Sequence, residues 1–264
     1  MYVVKIGGTG GVEADNVLDD VADVDEDCVV VHGGSEAVDS LGERLGVPPR
    51  YVESPSGVES RYTDEEAMEV FTLAMAGVNA DLTLGLQRRD VDAVGLSGVD
   101  GRLLEGERKD TVIAVEDGRK RVLRGDHSGK IENVNADLLR GLVDDGYTPV
   151  VGVPMVTYDD VAVNADADRA AAAVAGALDA RLLLLTDVPG VLRDVDDRDS
   201  LLREVGRDDV DDVLERYAVG RMKKKVLAAR EALDSGAPAA SISSANDDEP
   251  VRHALEGGGT VFTA

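Results

Sequence analysis

The chain has 264 residues, 43% of them hydrophobic, enough for one large α/β domain or two lobes sharing a sheet. Its 53 acidic against 28 basic residues give a net charge of -25, which argues against general nucleic-acid binding, because phosphate backbones are drawn to basic surfaces. Met1 leads directly into a strand-like segment rather than a secretory signal, no apolar run is long enough to span a bilayer, and the single cysteine, Cys28, excludes an internal disulfide or a cysteine-built metal cluster, so a cytoplasmic protein that meets no membrane is expected.

The first predicted element, Tyr2-Val3-Val4, carries Lys5 and Ile6 into the glycine cluster Gly7-Gly8-Thr9-Gly10-Gly11. A buried strand ending in a glycine loop lets backbone amides approach a ligand, and a lysine beside it suggests phosphate. An ordinary core strand with an exposed turn fits the same residues. The stretch is not a P-loop, in which the lysine follows the glycines, nor a dinucleotide fingerprint.

Val17, Leu18, Val21 and Ala22 then have helical spacing, and Cys28 to Val31 reads as a second buried strand. It too ends in glycines, at Gly33 and Gly34, before the helical pattern Val38, Leu41, Leu45. Two strand–glycine–helix units in succession predict parallel strands whose carboxyl ends share one edge, where ligands bind.

Thr63, with Glu66 three residues on, suggests a capping box opening a helix through Met68, Phe71, Met75 and Val78 to about Leu86. Arg61 sits just ahead of that start, where guanidinium and free amides together could hold a carboxylate; a solvated surface arginine is the alternative. Val91 to Leu96 is another short strand, and Thr111 to Val115 with Arg121 to Leu123 predict a β-hairpin. From Arg102 to Lys130 there are eight basic against six acidic residues, a local excess of +2 that favours an acidic macromolecular partner over a merely solvated hairpin. A helix with Leu138, Leu139 and Leu142 follows, then a strand at Thr148 to Val151, and the region from Gly152 to Asp160 is the candidate boundary between two halves that share one sheet.

Asn164-Ala165-Asp166-Ala167-Asp168 precedes an alanine-rich helix to Leu178. Acids at a helix start suit plain capping, but Asp168 ahead of close-packed alanines also suits a carboxylate held rigidly at a site. The apolar strand Leu182 to Leu185 delivers Asp187 into a Pro-Gly turn. The aspartates at 194, 196, 197 and 199 lack the glycine and terminal acid of a calcium loop and read as solvated. Gly220-Arg221-Met222-Lys223-Lys224-Lys225 opens an amphipathic helix, and Ala239 to Ser243 and Thr260 to Phe262 are the last strands. Only seven lysines stand against 21 arginines, so three in a row are not surface decoration.

In this order, VVKIGG (Val3 to Gly8), VHGG (Val31 to Gly34), SRYT (Ser60 to Thr63), NADADRAA (Asn164 to Ala171), LLTDVPGV (Leu184 to Val191) and GRMKKKVLAA (Gly220 to Ala229) resemble the amino acid kinase family, within it the acetylglutamate kinase group, over essentially the whole chain. SRYT, Gly98 to Gly101, Glu107-Arg108-Lys109 and Ser128 to Lys130 look like the branch that phosphorylates glutamate or aminoadipate attached to the amino-group carrier protein LysW. The resemblance implies a three-layer αβα sandwich of carbamate-kinase type, with a mainly parallel central sheet and a β-hairpin excursion. It implies an amino-terminal lobe, 1–155, for the acyl amino acid and carrier, a carboxyl-terminal lobe, 156–264, for ATP with Mg²⁺ held mainly through the phosphates, and a homodimer.

Carried over residue by residue, the likeness makes Lys5 and Lys225 contacts of the transferring phosphoryl group and Asp168 the residue that orients them. The amides of Gly7, Gly8, Gly33 and Gly34 would serve phosphate and substrate, Arg61 the α-carboxylate, Asn164 the amide region, and Asp187 the nucleotide side. Arg119, Lys120, Arg121 and Lys130 would dock the acidic carrier. This chain departs from the branch pattern in having Ser35 after Gly33-Gly34, extra glycines at Gly10 and Gly11, and Asp126-His127-Ser128-Gly129-Lys130 where Gly-Tyr-Thr-Gly-Lys is usual. A kinase of free N-acetylglutamate, or a non-catalytic nucleotide- or amino-acid-binding regulator on the same fold, would share most of these residues. Since the acceptor carboxylate is already ionised, no general base is needed, and His32 is expected to be a loop residue rather than a catalyst.

The dispersed acidity has a physical consequence. Self-repulsion destabilises the fold in dilute salt, whereas at molar salt the Debye length shrinks to about 3 Å and the penalty fades, which suggests a salt-loving source; taken with the resemblance, a halophilic archaeon is expected. The melting temperature is expected to rise steeply with KCl concentration; a flat or falling curve contradicts this.

Overall fold

Tyr2-Val3-Val4-Lys5-Ile6 forms β1 (Tyr2–Ile6), buried along its whole length. A strand without a solvent face must be covered on both sides, which places it inside a sheet sandwiched between helices. The computed structural model describes residues 1–7, 14–55, 57, 59–116 and 119–263. After β1 they form α1 (Ala14–Asp23), β2 (Cys28–His32), α2 (Ser35–Leu45), β3 (Arg50–Glu53), β4 (Glu59–Tyr62), α3 (Glu65–Gln87), β5 (Ala93–Gly98), β6 (Leu104–Glu116) and β7 (Arg119–Val134). The chain continues through α4 (Ala136–Asp144), β8 (Thr148–Thr157), β9 (Ala162–Val163), α5 (Ala167–Ala177), β10 (Arg181–Thr186), β11 (Glu204–Gly206), α6 (Val210–Arg216), α7 (Arg221–Asp234), β12 (Ala239–Ser244), α8 (Pro250–Leu255) and β13 (Thr260–Thr263).

Eleven of these strands share one sheet in the order β11-β13-β12-β10-β1-β2-β8-β6-β7, with β5 and β9 also paired to β8. Pairing is parallel through the centre, and antiparallel only at β6–β7, β8–β9 and β12–β13. The expected three-layer α/β sandwich is therefore present. One core, containing Val3, Val31, Leu184 and the apolar faces of α4, α5 and α7, fills one side of the sheet. A second, containing Val4, Ile6, Leu185, Val17 of α1 and Val251 of α8, fills the other. No described helix is long and apolar enough to cross a membrane.

Strand alternation decides what reaches the site. Lys5 is in register with Val31 of β2 and Leu184 of β10 and shares the face of Val3, the face that α5 covers. Ile6, in register with His32, faces the other way. His32 is buried there: its Nδ1–H donates to the Gly33 carbonyl at 3.1 Å, and its Nε2 accepts from Asn79 Nδ2 at 3.0 Å. A Cβ on Gly152 would lie 2.6 Å from that Nε2, so only glycine lets β8 pass the ring.

Three local expectations are corrected. The hairpin is longer than predicted, because β6 and β7 stay paired from Leu104↔Val134 out to Glu116↔Arg119 through two register shifts. Arg61 does not stand against the amides of the helix start: residues 59–62 pair with 50–53 as a two-stranded ribbon, a cross-strand partnership that local spacing cannot reveal. The N-cap of α3 is Asp64, whose carboxylate accepts from the Ala67 amide at 3.0 Å, rather than Thr63, whose amide donates to Asp126 Oδ1 at 2.9 Å.

Burial lowers the His32 imidazole from 6.5 to about 4, with its bond to Gly33 opposing and the Lys5 charge assisting. The folded value lies below the unfolded one, so the contribution of the neutral ring is complete above pH 6.5 and is lost as pH falls towards 4. That loss amounts to roughly 3 kcal/mol. Wild-type melting temperature should therefore fall more steeply over this range than that of His32→Gln; parallel curves contradict the assignment.

Candidate active site

The alanines of α5 let that helix pack closely against α7 and against the Val3 face of the sheet. Asp166 caps α5, accepting from the Asp168 and Arg169 amides at 3.0 and 3.1 Å, and so fixes Asp168 in the first turn. Lys5 Nζ lies 2.7 Å from Asp168 Oδ1, and Lys225 Nζ, on the first turn and a half of α7, lies 3.1 Å from Oδ2. The three side chains are only 7%, 11% and 10% exposed in the order Lys5, Lys225, Asp168. Burial works against the charge of Asp168, but the two ammonium groups outweigh it and hold the carboxyl well below the usual carboxylate range. Burial lowers the Lys225 ammonium, with Asp168 opposing and Lys5 adding to the fall. Two cations on one anion leave a surplus positive charge at the carboxyl end of β1.

That charge is reinforced. Lys223, Lys224 and Lys225 all fall at the amino end of α7, where the macrodipole disfavours cations. Lysines held there against the dipole make a field suited to an anion. Lys224 Nζ also donates to the Glu59 carbonyl of β4 at 2.9 Å, bridging the α7 start to the ribbon.

These groups line a cleft of about 1570 Å³. Gly7, Gly33, Gly34, Arg61, Asn164 and Asp187 line it as well. Gly7, Gly33 and Asp187 follow the carboxyl ends of β1, β2 and β10, and Asp187 is exposed. Gly34 precedes α2, and a Cβ there would stand 2.6 Å from Met75 Sδ, so glycine is what allows α2 and α3 to converge on the loop. Gly8 lies outside the described residues.

Arg61 stands on β4 rather than against the amides of α3. Its Nη1 donates to Asp39 Oδ1 at 2.6 Å and its Nη2 to Tyr51 Oη at 2.8 Å. Asn164 donates from Nδ2 to Thr63 Oγ1 at 3.2 Å, and its backbone exchanges hydrogen bonds with His127 and Gly129 of β7. The hairpin reaches the cleft through Lys109, Val112, Ile113 and Lys130. Lys130 is exposed and donates to Glu132 Oε1 at 3.2 Å. Arg119, Lys120 and Arg121 are exposed at the outer start of β7, beyond the described cleft lining.

Asp39, Tyr51, Thr63 and Asp126 were not among the residues expected at the site. Asp126 is fully buried, accepts from the Thr63 amide and Ser128 Oγ, and so ties the hairpin to the start of α3. Its one sequence signal was its place in the departure from Gly-Tyr-Thr-Gly-Lys. Tyr51 and Asp39 gave none, because their meaning depends on the ribbon pairing.

Comparison with known proteins adds an independent line. A model of the amino acid kinase family matches residues 1–243. A LysW-aminoadipate kinase of Deinococcus radiodurans is 48% identical over 100% of this chain and 91% of its own, and one of Thermus thermophilus is 41% identical over 99% of both. An acetylglutamate kinase of Methanopyrus kandleri is 40% identical over 99% of both. Among solved structures, N-acetylglutamate synthase of Neisseria gonorrhoeae superposes with a TM-score of 0.79 at 23% identity; it covers 100% of this chain, which spans 59% of the synthase. Carbamate kinase of Giardia lamblia superposes with a TM-score of 0.69 at 15% identity, covering 99% of this chain and 98% of that one. At these identities the structural likenesses concern the fold.

Proposed function

This chain belongs to the amino acid kinase family, and from that premise we propose that it transfers the γ-phosphoryl group of ATP to the side-chain carboxylate of glutamate or 2-aminoadipate joined through its amino group to the carrier protein LysW. The product is an acyl phosphate, an intermediate type for arginine or lysine biosynthesis. The observation that carries the reading is the pair of ion contacts from Lys5 and Lys225 to one buried carboxylate inside the cleft.

A carboxylate oxygen forms a bond to the γ-phosphorus while the bond to the β–γ bridging oxygen breaks and ADP leaves. Two anions must meet, so catalysis rests on positioning and charge neutralisation. Lys5 from β1 and Lys225 from α7 flank the transferring group, and Asp168 keeps both ammonium groups aimed. The amides of Gly7, Gly8, Gly33 and Gly34 complete the anion cradle. Arg61 meets the α-carboxylate and Asn164 the amide linkage. Asp187 is exposed on the nucleotide side, where Mg²⁺ would enter with the phosphates and add Lewis-acid charge.

The division of labour follows the two halves, with 1–155 for the acceptor and carrier and 156–264 for ATP. Attachment to a carrier keeps the amine from cyclising onto the acyl phosphate. The basic hairpin, with Lys130 at the cleft and Arg119, Lys120 and Arg121 on its exposed outer part, suits an acidic carrier. A homodimer in a salt-rich cytoplasm completes the proposal; the net charge of -25 supports the salt-rich part of it.

ADP release is to be measured separately with LysW-linked aminoadipate, LysW-linked glutamate and free N-acetylglutamate. Turnover of a carrier-linked acceptor and little of the free one is expected. Turnover of N-acetylglutamate alone overturns the carrier reading, and turnover of none favours a regulator. Glutamate and aminoadipate differ by one methylene, worth only about 1–3 kcal/mol of discrimination, so activity on both is compatible with the account.

A further inference from the structure

Arg61 sits in a closed three-residue ring. Tyr51 lies directly across the β3–β4 ribbon from it, with the guanidinium carbon 4.9 Å from the centre of the phenol ring. The Tyr51 hydroxyl accepts from Arg61 Nη2 at 2.8 Å and donates to Asp39 Oδ2 at 2.9 Å, while Asp39 Oδ1 accepts from Arg61 Nη1 at 2.6 Å. Each member thus holds the other two. Asp39 comes from α2, whose start follows Gly34, so the ring also ties the ribbon to the glycine loop. The Arg61 side chain is left 9% exposed, although it stands on a two-stranded ribbon.

The chemistry of the fork gives this ring a purpose. A guanidinium presents two edges that can grip a carboxylate bidentately, one through Nη1 and Nη2 and the other through Nε and Nη2. Asp39 and Tyr51 occupy Nη1 and Nη2. A further Nη2 contact, to the Ser35 carbonyl, is long at 3.3 Å. We propose that Asp39 and Tyr51 are positioning residues for acceptor recognition: they clamp the Nη1–Nη2 edge of Arg61 so that the Nε–Nη2 edge is presented to the α-carboxylate, which displaces the weak contact to Ser35. This rests on the reading of Arg61 as the α-carboxylate residue. Without the clamp a long, flexible side chain must be ordered when the acceptor binds, which weakens acceptor affinity and leaves the phosphoryl-transfer machinery intact. A single salt bridge on the ribbon would leave the guanidinium free to swivel; the aromatic face beside it and the second oxygen of Asp39 remove that freedom.

The test is a double-mutant cycle on the full chain, reading KM and kcat with whichever acceptor the wild type turns over and acceptor Kd by calorimetry, with ATP KM as the control. Asp39→Asn should raise acceptor KM and Kd about tenfold, as expected for a lost charge-assisted hydrogen bond, with kcat and ATP KM near wild type. Tyr51→Phe should act in the same direction, more weakly. Arg61→Lys, which has no fork to align, should raise acceptor KM by itself, and adding Asp39→Asn to it should cost little more. Wild-type acceptor KM and Kd in Asp39→Asn, or effects that multiply in the double variant, overturn the clamp while leaving Arg61 in place. Unchanged acceptor KM and Kd in Arg61→Lys removes the assignment of Arg61 and the clamp together.

Discussion

A buried carboxylate shared by two lysines is the constraint on which the site depends. Asp168 draws Lys5 from the sheet and Lys225 from α7 to its two oxygens, at 2.7 and 3.1 Å. Burial lowers the Lys225 ammonium, and without the carboxylate between them the two ammonium groups would repel. The carboxylate fixes their separation, yet neutralises only one of them. Removing a partner from a buried ionic cluster strands charge in a low-dielectric setting, so the cluster specifies the geometry more than it stabilises the fold.

The architecture serves that cluster in simple ways. Strand alternation aims Lys5 towards α5 and His32 away from it. Small residues on α5 bring its first turn against the sheet, and the Asp166 cap sets the angle at which Asp168 enters. Parallel strands deliver Gly7, Gly33 and Asp187 to the same edge. The ribbon and the hairpin line the same cleft and are held together by Asp126, Thr63 and Asn164.

The sheet, the helices and most of the cleft were legible because each rests on local pattern. The apolar runs ending at Lys5, Val31 and Leu185 mark parallel core strands, and the alanines after Asp168 mark a close-packed helix. What escaped depends on distant pairing. Nothing near Ser60 announces that it pairs with Val52, so Arg61 was expected beside the α3 amides and instead faces Asp39 and Tyr51. Thr63 was expected to cap α3 because Glu66 follows it, but Asp64 competes better and Thr63 is claimed by Asp126. His32 was expected to be a loop residue, but it is the buried last residue of β2, packed on the sheet face opposite Lys5.

The most direct test of the central claim is the single-turnover rate of ADP formation in Lys225→Ala, measured beside its melting temperature with ATP and a carrier-linked acceptor. Asp168 keeps Lys5 as a partner in that variant, so the fold should persist with little change in stability. Loss of one preorganised cation at the transferring group should slow the reaction by about two orders of magnitude or more. A wild-type rate in a folded Lys225→Ala protein would contradict the account.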